Sequence, residues 1–189
     1  MAFIESIEKI DTDLFTAING SHSPFWDQVM YAVSGTFFWI PLYLLVIFLV
    51  IKKYKRSAVI PILLMIVGVI ITDQLSVHLF KDVFERFRPC HNLELKDSVH
   101  LVNGKCGGQF GFVSSHAANT FMFALLSSMI LKIRIYYFLI FFWAAFISYS
   151  RIYLGVHFPA DIAVGALLGM IIALILFFLR MKLQKIKKE

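Results

Sequence analysis

Three short stretches hold residue types whose spacing suits chemistry on a phosphate group. In Lys81-Asp-Val-Phe-Glu-Arg-Phe-Arg88-Pro89, Lys81 and Arg88 stand seven apart, so a continuing helix returns them to one face after two turns, a point charge beside a bidentate fork. Taken alone, this segment is better accounted for by an ordinary interfacial basic cluster. In Gly111-Phe-Val-Ser114-Ser115-His116, the polar residues open an apolar run. A helix N-terminus there offers free N–H groups and a positive dipole end, so Ser114 and Ser115 can hold an anion beside His116. Ser114 as a simple N-cap and His116 as an interfacial histidine fit the same residues. In Ser150-Arg151-Ile-Tyr-Leu-Gly-Val-His157-Phe-Pro-Ala-Asp161, the carboxylate of Asp161 lies one helical turn after His157. Accepting from one imidazole nitrogen, it fixes the tautomer and leaves the other nitrogen free to attack. A salt bridge between Arg151 and Asp161 explains that pair but gives His157 no role.

The elements that carry these clusters are apolar. Of the 189 residues 59% are hydrophobic and only 16% charged, with a mean hydropathy of +0.78, which points to lipid rather than to a soluble domain. Apolar runs at Val29–Ile51, Ala58–Thr72, Ala117–Leu131, Ile135–Ser150 and Ile162–Leu179 read as membrane spans, the shorter ones completed by flanks such as Asp73 to Leu79 and Gly111 to His116. The expected fold is therefore all-α: an integral membrane helical bundle of about five transmembrane helices, forming one domain over residues 1–189. Ile4, Ile7, Ile10, Leu14 and Ile18 recur at helical spacing with charges between them, which suits an amphipathic N-terminal helix on the membrane surface; packing against the bundle is the other reading.

The formal charge of +6 does not indicate nucleic acid, because the basic residues collect at span ends. Lys52, Lys53, Lys55 and Arg56 follow the first span, Lys132 and Arg134 the third, and Arg180, Lys182, Lys185, Lys187 and Lys188 the fifth, which marks that side as cytoplasmic and places the C-terminus there. The three polar clusters then share the opposite, periplasmic face of the inner membrane. Glu5, Glu8, Asp11 and Asp13 stand where a signal peptide carries its basic region, so none is expected. The chain turns polar and glycine-rich between Phe80 and Phe112, a long outer loop holding both cysteines, and on the oxidising side Cys90 and Cys106 are expected to form a disulfide. Asp73, late in the second span, is an intramembrane ionisable group and so a functional candidate, or merely interfacial.

The three clusters, in this order and at these membrane positions, resemble the signature of the type 2 phosphatidic acid phosphatase superfamily: Lys-x6-Arg-Pro, then Pro-Ser-Gly-His, then Ser-Arg-x5-His-x3-Asp. The first and third match in full, whereas in the second Val113 replaces proline and Ser115 replaces glycine, with Ser114 and His116 kept. Many members have six spans, so here the N-terminal surface helix stands in for the first. The resemblance covers Lys81 to Asp161 and the spans around it.

It implies a bacterial membrane lipid phosphatase in which His157 attacks phosphorus, Asp161 orients it, and His116 protonates the leaving oxygen and then activates water. Lys81, Arg88, Arg151, Ser114 and Ser115 would bind phosphate. No metal and no other cofactor is expected, and no His, Cys or carboxylate set has metal-ligand spacing in the sequence. The partners are a lipid phosphate substrate and membrane lipids, with no nucleic acid; oligomeric state is not legible. Undecaprenyl diphosphate, lipid A phosphate, phosphatidylglycerol phosphate and phosphatidate all fit as substrates. The alternatives are a catalytically altered lipid-binding or transport protein and a vanadate-dependent haloperoxidase-like enzyme.

Overall fold

The computed structural model describes residues 2–186. Lys187 and Lys188, expected as cytoplasmic anchors, lie outside the described residues, as do the side chains of Ile4 and Lys185. The helices in chain order are α1 (Ala2–Gly20), α2 (Pro24–Ser34), α3 (Ile40–Tyr54), α4 (Val59–Leu75), the short α5 (Asp82–Phe84), α6 (Ser115–Leu131), α7 (Arg134–Tyr153) and α8 (Pro159–Ile186). Among the described residues no named strand forms; Phe87 and Phe110 make one isolated antiparallel bridge.

Local sequence explains where the helices begin. Ser23 caps α2 by accepting from the Trp26 N–H, and Pro24 fills the first position, where its missing N–H costs nothing. Ser114 caps α6 through the Ala117 N–H. Pro159 opens α8, and carboxylates take the N–H groups on either side of it: Phe158 N donates to Asp161 at 2.9 Å and Ala160 N to Asp11 at 2.7 Å.

Three runs are long and apolar enough to cross a membrane, Thr36–Phe84, Arg134–Tyr153 and Pro159–Lys182, with Ser115–Leu131 a shorter fourth. The first run is a hairpin. It turns at Lys55–Ala58, where Tyr54 donates to the Ile130 carbonyl at one end of α6, and returns so that Asp73 meets Asn119 near the other end. The chain thus traverses the bundle five times, through α3, α4, α6, α7 and α8. The outward faces of these helices are apolar, with Leu44, Ile70, Phe142 and Phe178 all more than half exposed, as lipid contact requires and water does not favour.

The expected first span, Val29–Ile51, is corrected. Gly35 takes an extended conformation (φ −78°, ψ 127°) and ends α2 at Ser34; a 3-10 turn over Thr36–Trp39 then leads into α3. Those four residues and the 15 of α3 together span roughly 30 Å, so the crossing is still long enough. Residues Gly111–Ser114, expected to lengthen the third span, are non-helical, and α6 begins only at Ser115.

α6 is the central element. Met122, Ala124, Leu126 and Ile130 have no exposed surface, and they share one core with Val46 and Val50 of α3, Met65 of α4, Trp143 and Ile147 of α7, and Ile172 and Leu176 of α8. Its contact with α8 is closest at Gly165 and Gly169, where an added Cβ would lie 2.7 Å from the Ser114 carbonyl and 2.1 Å from that of Ala118. Small residues let the two backbones meet, which seats the start of α6 beside the start of α8.

α1 serves both readings of the N-terminal helix. Asp11, Phe15 and Asn19 form a buried stripe against the bundle, while Ile7, Ile10 and Leu14 point outward.

Candidate active site

The three clusters converge on one cavity of about 670 Å³. Lys81, Arg88, Ser115, His116, Arg151 and His157 line its upper end, and Ile47, Ile62, Ile66 and Val69 line the apolar lower part between α3 and α4.

His157 is 1% exposed in the turn between α7 and α8. Its Nδ1 faces Oδ2 of Asp161 at 3.3 Å, and its Nε2 faces Nη1 of Arg88 at 3.3 Å. Burial drives the imidazole well below its ordinary pKa, with the positive charges of Arg88, Arg151 and Lys81 adding to the effect. The ring is therefore neutral. Nδ1–H donates to the carboxylate and a lone pair on Nε2 points toward the cations, where an anion would sit.

Arg88 reaches the site by another route than the helical one its spacing suggests. Glu85 adopts the left-handed conformation (φ 47°) and ends the helix after Phe84, so Arg88 lies on extended backbone, its N–H donating to the Gln109 carbonyl at 3.1 Å. Arg88 also donates to the Val156 carbonyl at 3.2 Å, which leaves Nε buried and without a partner. Gly111 makes this approach feasible. A Cβ there would stand 3.1 Å from Cγ of Arg88 and 3.2 Å from Oδ2 of Asp161.

Lys81 ends a π-helical turn over Ser76–Lys81 that continues α4, and its ammonium donates to Ser115 Oγ at 2.7 Å. Such a widened turn inside an α-helix is common at functional sites because it re-aims a side chain. Arg151 donates to the Ser34 hydroxyl, not to Asp161, and its Nε is also buried without a partner. Ser114 is fully buried, caps α6 and is absent from the cavity wall, whereas Ser115 lies on it.

Sequence reading missed Arg86 and Asp11. The guanidinium of Arg86 donates to Asp161 Oδ1 at 2.9 Å and to Asp11 Oδ2 at 2.6 Å, and it stacks 4.3 Å over the Phe158 ring. Arg86 had a signal, as a third cation between Lys81 and Arg88. Asp11 had one too: with Phe15 and Asn19 it forms a stripe at four-residue spacing on the face beside that of Ile7, Ile10 and Leu14. The structure also gathers His22, Asp27 and His100, a potential ligand set that no sequence spacing reveals; Asp27 there accepts from His100 and from the Tyr153 hydroxyl. Asp73 accepts from Asn119 at 3.3 Å and has no ion pair among the described residues.

Cys90 and Cys106 are joined by a disulfide with their Cα atoms 6.0 Å apart. It ties the segment after Arg88 to the glycine-rich return toward Ser114.

Comparison with known proteins agrees with this arrangement. The family model described as the PAP2 superfamily matches residues 57–185. The chain is 35% identical over 182 residues to a lipid A 4'-phosphatase of Bacteroides thetaiotaomicron, covering 95% of this chain and 81% of the relative. It is 36% identical over 170 residues to a lipid A 4'-phosphatase of Porphyromonas gingivalis, covering 89% and 72%. Among solved structures, a PAP2-type phosphatidylglycerolphosphate phosphatase from Bacillus subtilis superposes with a TM-score of 0.73 at 23% identity, over 94% of this chain and 87% of that one, a likeness of fold. LpxE from Aquifex aeolicus gives a TM-score of 0.62 at 26% identity, over 88% and 93%.

Proposed function

As the chain belongs to the PAP2 superfamily, we propose that it is a lipid A phosphatase that removes a phosphomonoester at the periplasmic face through a phosphohistidine on His157. That it is a membrane lipid phosphatase follows from its family, its relatives and its apolar helical bundle. One observation carries the proposed chemistry: a single cavity joins a neutral, carboxylate-oriented histidine and three cations to an apolar groove facing α3 and α4. The choice of lipid A among the candidate substrates is supported by the two relatives named for it.

Nε2 of His157 attacks phosphorus in line, forming an N–P bond as the bond to the sugar oxygen breaks. Asp161 accepts from Nδ1–H throughout and stabilises the charge that develops on the ring. Lys81, Arg88 and Arg151, with the Ser115 N–H at the start of α6, hold the equatorial oxygens; fixed donors of this kind lower the barrier because they need no reorganisation. His116 donates a proton to the departing oxygen. It then takes one from the water that cleaves the N–P bond and releases inorganic phosphate. Ser114 acts by capping α6, and so holds the Ser115 N–H in place. The basic ends of the bundle at Lys52–Arg56 and Lys132–Arg134 support the reading in which the opposite, catalytic end faces outside.

The test is phosphate release by purified protein in detergent from lipid A, phosphatidate, phosphatidylglycerol phosphate and undecaprenyl diphosphate. Lipid A should give the largest kcat/KM. A tenfold preference for any of the other three overturns the assignment.

A further inference from the structure

The cavity contains a polar pair that the phosphate chemistry does not use. Asn119 lies three residues after His116 on α6, one turn deeper into the bundle, and Asp73 lies on α4 about two turns below Lys81; both line the cavity. Their neighbours on the wall include Met65, Ile66, Val69, Ile70 and Phe123. Asn119 Nδ2 donates to Asp73 Oδ1 at 3.3 Å, which fixes the amide with its oxygen turned away from the carboxylate. That oxygen is buried and has no partner. Among the described residues the second carboxylate oxygen of Asp73 carries no hydrogen bond and no ion pair either.

The pair thus presents one buried acceptor without a partner, the Asn119 oxygen, beside a half-buried carboxylate oxygen of Asp73, and a donor on a bound molecule would satisfy both. Its position identifies which part of the substrate supplies that donor. His116 protonates the leaving oxygen, so the group attached to that oxygen passes His116 and next meets Asn119. The geometry points to Asp73 and Asn119 as a subsite for the leaving group, accepting hydrogen bonds from the hydroxyl or amide N–H of an acylated amino sugar. This inference rests on the lipid A reading and sharpens it. A diacylglycerol leaving group has only ester oxygens near the phosphate, which accept and cannot donate, so the pair would discriminate against it.

The deciding measurement is kcat/KM for phosphate release from lipid A and from dioleoyl phosphatidate in the same detergent, for wild type, Asp73→Asn and Asn119→Leu. The ratio of the two constants should fall at least tenfold in each variant; the use of two variants lets one decide should the other fail to fold. An unchanged ratio overturns the inference, and so does a wild type that turns over phosphatidate but not lipid A. A wild type that releases phosphate from neither lipid removes the functional reading itself, and the subsite with it.

Discussion

Arg86 holds Asp161 from the side away from His157, donating to Oδ1 at 2.9 Å while Oδ2 serves Nδ1 of His157 and the Phe158 N–H. Its second arm anchors on Asp11, which also receives the Ala160 N–H, so α1 is tied to the first turn of α8 and through Asp161 to His157.

Arg86→Ala should therefore lower kcat more than it raises KM, because a fully buried carboxylate left without its cation no longer orients His157. Breaking a buried pair costs about 3–5 kcal/mol, and the low end is expected because the Phe158 N–H still serves the carboxylate. Arg86→Lys should recover part of kcat, and Asp11→Asn should show a milder form of the same defect. Steady-state kinetics and thermal unfolding of the purified variants check this. A change confined to KM in Arg86→Ala would show that the arginine meets substrate rather than Asp161.

His157→Ala should abolish turnover and leave no protein-bound phosphate in acid-sparing rapid-quench experiments with labelled substrate. His116→Ala should lose about 10² to 10⁴ in rate on lipid substrates, the usual cost of removing a general acid. With an aryl phosphate, whose phenolate leaves without protonation, that variant should release one equivalent of phenolate in a burst and then stall as the phosphohistidine. No burst would remove His116 from the water-activation step.

The depressed pKa of His157 predicts how activity and stability depend on pH. Its folded-state value lies well below the ordinary histidine value of 6.5, so the imidazole stays neutral as pH falls through 6.5, and loss of kcat/KM from its protonation should begin only well below that point. Stability runs the other way from an ordinary histidine ion pair. Between the folded and unfolded pKa values the unfolded chain binds more protons, so the contribution is full above pH 6.5 and is lost progressively as pH drops below it. Thermal unfolding between pH 7 and pH 5 should show this slope, and His157→Asn should flatten it. Loss of wild-type kcat/KM centred near pH 6.5, with ionisation of the lipid phosphate controlled, would contradict the assignment.

Much of this was legible in sequence because the chemistry is local. His157 and Asp161 are four residues apart across the start of α8, so the turn that opens that helix brings them together; Ser115 and His116 are neighbours at the start of α6. Apolar run length likewise located the four later crossings to within a few residues. What stayed hidden depended on tertiary contacts or on single backbone dihedrals. Arg88 was expected on a continuing helix, and only the left-handed Glu85 shows why it arrives on extended chain. The Val29–Ile51 run is apolar throughout, so hydropathy could not register the break at Gly35. Asp11 and Arg86 are separated by 75 residues and Asp73 and Asn119 by 46, distances over which spacing says nothing.

Activity should persist in excess chelator and be inhibited by vanadate, since Lys81, Arg88 and Arg151 already supply the positive charge that a phosphoryl transition state needs. Vanadate takes up the five-coordinate geometry of that state, and Arg88→Ala should weaken its inhibition along with turnover. A divalent-ion requirement that remains after the lipid substrate's own counter-ions are controlled would point to a different mechanism.

The disulfide offers a test of both local structure and orientation. Cys90 directly follows Pro89 and Cys106 stands ten residues before His116, so the bridge closes a loop between two walls of the phosphate site. Closing a loop of this length stabilises by about 3 kcal/mol in the chain-entropy picture. Its larger effect should be on position, because it limits how far Arg88 can drift from the backbone leading to Ser115. Replacing both cysteines with serine should lower thermal stability and reduce kcat several-fold, with the metal independence and the pH profile unchanged. Non-reduced peptide mapping should find the two cysteine peptides linked. After reduction in intact spheroplasts, a membrane-impermeant thiol reagent added outside should label both residues. Labelling that requires a reagent delivered from the cytoplasm would reverse the orientation proposed for the whole bundle.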